Sequence, residues 1–93
     1  MLLKDIQCQV VLNPIYAESY NNRGLSYLYI CQDDRAPEDF NKAIKLDQNI
    51  AITYHNRGTL YTRTGYKRLA ILDFQRACDL GNKKAYDALK AIQ

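Results

Sequence analysis

The stretch Ala17-Glu18-Ser19-Tyr20-Asn21-Asn22-Arg23-Gly24-Leu25-Ser26-Tyr27 returns 34 residues later as Ala51-Ile52-Thr53-Tyr54-His55-Asn56-Arg57-Gly58-Thr59-Leu60-Tyr61. Six of its positions are identical between the two copies. Extending the comparison without a gap to 17–50 against 51–84 adds Ala36/Ala70, Asp39/Asp73, Phe40/Phe74, Ala43/Ala77 and Leu46/Leu80, giving eleven identities. Chance would supply about two. The chain therefore contains an internal repeat, and repetition at this period marks stacked supersecondary units.

Spacing inside each unit gives the local structure. Tyr20, Gly24 and Tyr27, like Tyr54, Gly58 and Tyr61, recur at intervals of four and three, one face of an α-helix. Ala36, Phe40 and Ala43, like Ala70, Phe74 and Ala77, trace the same face on a second helix. Helices this short are marginal alone in water and must bury that face against a neighbour. The Phe rings supply large apolar area. Gly24 and Ala36, with Gly58 and Ala70, are expected to permit close backbone approach between paired helices. Arg23 and Arg57 interrupt the apolar pattern, which predicts a surface position or a carboxylate partner.

These residues resemble the tetratricopeptide repeat family, in which an aromatic, a Gly, a Tyr, an Ala, an aromatic and an Ala recur over 34 residues. The resemblance implies an all-α fold: a right-handed α-solenoid of antiparallel helix pairs, with about five helices in a single domain, 1–93. In that frame 17–50 and 51–84 are full units. Residues 2–14 resemble the second helix of a preceding unit, closing at Pro14. Residues 82–93 form a capping helix, with Asn82 as N-cap and Ala85, Ala88, Leu89 and Ile92 as its apolar stripe. The turn Thr64-Gly65-Tyr66 is regular. Its counterpart, Cys31-Gln32-Asp33-Asp34, is irregular, and Pro37 delays the following helix to about Arg35–Pro37.

Composition narrows the function. At 93 residues and 10.8 kDa the chain has no room for separate catalytic and cofactor domains. Its net charge of +3 is too mild to argue for a nucleic-acid binder, and the eight Tyr form no stripe with Arg. Charge is uneven, however: residues 1–50 carry five Lys/Arg and seven Asp/Glu, whereas 51–93 carry eight and three. That asymmetry would steer an acidic partner to the C-terminal half or favour self-association. Cys8, Cys31 and Cys78 are odd in number and widely spaced, so they are read as free thiols in a reducing compartment. No stretch reads as a secretion signal or membrane span, and the expected localisation is cytoplasmic.

Nothing in the sequence assembles a catalytic constellation. His55 is the single His, with no Cys near it in sequence, and it is read as a polar lining residue, not a metal ligand. Asp33-Asp34 and Glu38-Asp39 are adjacent carboxylates that diverge on a helix. No catalytic residue, metal or cofactor is expected, and no membrane partner.

The resemblance instead implies a protein or peptide partner, held in a concave groove lined by first helices. Carried onto this sequence, the lining is Glu18, Asn21, Asn22, Leu25, Leu28 and Tyr29 in the first unit and Ile52, His55, Asn56, Thr59, Thr62 and Arg63 in the second. Asn22 and Asn56 have an alternative reading, as bridges between neighbouring helices. The carboxylate clamp of some family members is matched at Asn56, with Lys90 a similar substitute, whereas Asn21, Leu25 and Tyr86 occupy its other places. Tyr16, Tyr29, Tyr66 and Tyr86 are further contact candidates. A second function class is structural self-assembly, as a homodimer or by helix exchange, through the apolar residues Leu3, Ile6, Val10 and Val11.

Overall fold

The computed structural model describes residues 14–92, with the side chains from residue 16 onward. Expectations for residues 2–13, including self-association through Leu3, Ile6, Val10 and Val11, lie outside the described residues, as does Cys8. Five helices follow one another: α1 (Pro14–Tyr29), α2 (Ala36–Leu46), α3 (Ala51–Thr64), α4 (Lys67–Asp79) and α5 (Lys83–Ile92). There is no strand among the described residues.

Packing follows the repeat. α1 pairs with α2 and α3 with α4; α3 also contacts α1 and α2, and α5 packs on α4. The first helices α1 and α3 thus form one layer, and the second helices α2 and α4 stand on its other side. The result is a helical solenoid. Each unit is centred on its Phe. Phe40 gathers Leu28, Ala36 and Leu60, so α3 inserts Leu60 into the first unit's core. Phe74 gathers Tyr54, Ala70, Ala77 and Ala85, with Ile44 from the first unit and Leu89 and Ile92 from the last helix against it. Neighbouring units therefore share apolar side chains in both directions, which makes stacking a condition of burial.

Gly24 and Gly58 have a more specific reason than close backbone approach. A Cβ at Gly24 would lie 2.8 Å from Cε1 of Phe40, and one at Gly58 would lie 2.8 Å from Cε1 of Phe74. The missing side chain makes room for the facing ring, not for the backbone of Ala36 or Ala70.

The turns also differ for local reasons. α2 starts at Ala36 with Pro at its beginning, where a missing N–H is tolerated. Cys31 adopts φ +61° at the position equivalent to Gly65, which adopts φ +92° and caps α3. Asn82 accepts a 2.8 Å bond from the Ala85 N–H and so caps α5.

Candidate binding groove

One ion pair fixes each first helix to its second. Arg23 donates through Nε and Nη2 to the Asp39 carboxylate at 2.8 and 2.7 Å, and Arg57 donates in the same two-pronged way to Asp73 at 2.7 and 2.8 Å. Both Asp residues are buried. The fork geometry suits Arg and a carboxylate, and it raises the pKa of both guanidinium groups. Arg and Asp repeat together in the sequence, and that joint recurrence was the available signal for the pair. The two copies differ in one respect: Arg57 also donates to Asn41 of the preceding unit at 2.8 Å and is 20% exposed, whereas Arg23 is 60% exposed.

The expected lining residues separate into three groups. Asn21 and Asn56 are buried, and Asn56 Nδ2 donates to Asn21 Oδ1 at 3.0 Å. Their amides form a link between α1 and α3, so the bridging alternative holds for Asn56 but not for exposed Asn22, and Asn56 is removed from any exposed clamp. Leu28 is buried against Phe40, and Leu25 is half-buried beside it. Glu18, Asn22, Tyr29 and Ile52 are exposed.

The third group is brought together. Thr59, Thr62 and Arg63 line a cleft of about 440 Å³, with Phe74 as floor and Ala88, Ala91 and Ile92 of α5 as the other wall. Thr59 donates its hydroxyl to the His55 carbonyl at 3.1 Å and Thr62 donates to the Gly58 carbonyl at 2.9 Å, so both protons stay within the helix. The cleft is mainly apolar. Arg63 at its rim pairs with Asp33, and its Nη2 donates to the Leu28 carbonyl, which ties α3 to the turn after α1. Ala88 and Ile92 belonged, in the sequence, to the capping stripe and Ala91 did not; only the packing shows the three facing α3 across an open space.

His55 sits half-buried on the same helix, its ring centroid 5.7 Å from that of Phe74. Burial lowers its pKa below 6.5, and the charge of Lys84 adds to the effect, while its contact with Asn56 opposes it. His55 Nδ1 is buried without a hydrogen-bond partner among the described residues. No three His, Cys, Asp or Glu side chains among the described residues are grouped to hold a metal ion. Tyr16, Tyr29, Tyr66 and Tyr86 are all exposed, and Lys90 lies 5.4 Å from the centre of the Tyr86 ring. Cys31 and Cys78 are free thiols. Among the described residues no helix is long and apolar enough to cross a membrane.

The family comparison agrees with the geometry. The tetratricopeptide repeat profile matches residues 17–50 and 51–84, which is the register of the internal repeat, and the chain belongs to the tetratricopeptide repeat family. Such repeats are generally protein–protein interaction modules, and the family is typically a non-enzymatic scaffold. No curated protein matches the chain.

Proposed function

We propose that the chain is an interaction scaffold that seats a peptide or a partner helix on the layer of first helices, with the cleft between α3 and α5 receiving an apolar side chain. The observation that carries this reading is the cleft itself: Thr59, Thr62, Phe74, Ala88, Ala91 and Ile92 surround a space large enough for an aliphatic or aromatic group and leave it open. Apolar concave surface with few polar groups is the ordinary chemistry of ligand capture. Exposed Asn22, Ile52 and Tyr29 extend the candidate surface along α1 and α3, where they would meet the remainder of an extended ligand. A cytoplasmic setting is consistent with the free thiols.

The test uses a displayed peptide library selected on the full chain. Enriched peptides are expected to share an apolar anchor. Ala91→Trp, at an exposed position on α5, fills the cleft from its rim and should weaken these peptides at least about tenfold, the equivalent of roughly 1.4 kcal/mol. Selected peptides that bind Ala91→Trp and Thr62→Trp as tightly as the parent chain would show that the cleft does not receive them.

A further inference from the structure

Charge reverses at two equivalent places in the outer layer, once where the second helices begin (Asp34, in the turn before α2, against Arg68) and once near their ends (Lys45 against Asp79), while Lys42 and Arg76 keep their sign. The outward stripe of the first unit is Asp34, Glu38, Asn41 and Lys45; 34 residues later the same positions are Arg68, Leu72, Gln75 and Asp79. All eight are exposed. An acid becomes a base at the start of the stripe, and a base becomes an acid at its end. Lys67 replaces Asp33 next to Arg68, which deepens the reversal. Among the described residues none of Asp34, Glu38, Lys45, Arg68 and Asp79 joins an ion pair within the chain.

The basic end is placed against local preference. α2 holds Glu38 and Asp39 in its first turn, where the helix dipole favours anions, whereas α4 has no acid there and begins with Lys67 and Arg68. Leu69 and Leu72 are exposed beside them, and Lys67, Arg68, Ile71 and Leu72 line a cleft of about 380 Å³. Cations at an unfavourable helix end, around uncovered apolar side chains, are what a contact with an acidic surface would reward.

The complementary surface is on the same chain, in the same layer and at the same repeat positions. We propose that this outer layer is a self-association face on which α4 of one copy lies along α2 of a second copy. A two-fold axis parallel to the helices makes the contact twice. It sets Lys67 and Arg68 against the partner subunit's Asp34 and Glu38, and Asp79 against the partner subunit's Lys45. Ile71 and Leu72 are covered in the seam. The other layer, with the groove, stays open.

Sedimentation velocity on the full chain tests the arrangement, with circular dichroism confirming that each variant is folded. The parent chain should form a dimer that dissociates as salt rises. Arg68→Glu with Asp79→Lys, and separately Asp34→Lys with Lys45→Glu, should each weaken the dimer at least about tenfold by opposing like charges. Mixing those two variants should restore association, because each reversed stripe then meets its complement, and the fourfold variant should restore the homodimer. A parent chain that stays monomeric at the highest soluble concentration overturns the proposal. So does a dimer that these reversals leave intact, or one lost in Val10→Glu alone.

Discussion

Cys31 and Gly65 hold the same left-handed backbone shape at equivalent turns, φ +61° and +92°. A side chain in that region costs roughly 1–2 kcal/mol, part of which is returned by the smaller entropy loss of a residue other than Gly. Cys31→Gly should therefore stabilise the chain by about 0.5–1 kcal/mol, seen in thermal denaturation as a rise of a few degrees. The opposite change applies at Gly58. Ala there is a better helix former, but its Cβ would press on the Phe74 ring, itself buried in the core. Overpacking outweighs propensity, and Gly58→Ala should lose about 1–2 kcal/mol in denaturant titration. His55 adds a pH dependence. Its folded pKa lies below 6.5, so the unfolded chain takes up the proton first as pH falls through that value. Stability is full above 6.5 and declines below it, toward the lowered folded pKa. Melting temperatures at pH 7.5 and 5.5 should differ less in His55→Phe than in the parent chain.

Between elements, the helices are joined by polar links that the repeat pattern announces only in part. Arg23 and Arg57 break the apolar pattern, which made a carboxylate partner legible; Asp39 and Asp73 as those partners follow only from the pairing of helices. The links are unequal. Asp73→Ala strands Arg57, which is only 20% exposed, lies against the Tyr54 and Tyr61 rings and keeps just its bond to Asn41, and should cost about 2 kcal/mol. Asp39→Ala leaves Arg23 free to rehydrate and should cost less. Chemical denaturation of the two variants side by side checks the order. The Asn21–Asn56 bond was not legible, because Asn21 aligns with His55 and so shows no repetition. Asn56→Ala leaves a buried oxygen unpaired and should destabilise the chain by about 1–3 kcal/mol. Asn22→Ala, at an exposed position, should leave stability nearly unchanged.

Across the whole molecule, the period of 34 already contained the helix pairs and their core faces, since those features depend on spacing within the chain, and residue type alone marked Asn82 as the cap of α5. The groove depends on what stands across from it. Thr59, Thr62 and Arg63 were legible as lining, but of their facing wall Ala88 and Ile92 read in sequence as an ordinary apolar stripe and Ala91 was not singled out. Nor does position in a repeat reveal burial: Asn21 and Leu28 share a helix with exposed Asn22 and Tyr29, and neighbouring helices decide which are covered. The open cleft between α3 and α5 is the proposed seat of this scaffold's ligand. Amide chemical-shift mapping of the labelled chain with a library-selected peptide tests it most directly. The largest shifts should fall on Thr59, Thr62, Arg63, Ala88, Ala91 and Ile92; shifts confined to the outer faces of α2 and α4 would show that the ligand does not enter the cleft.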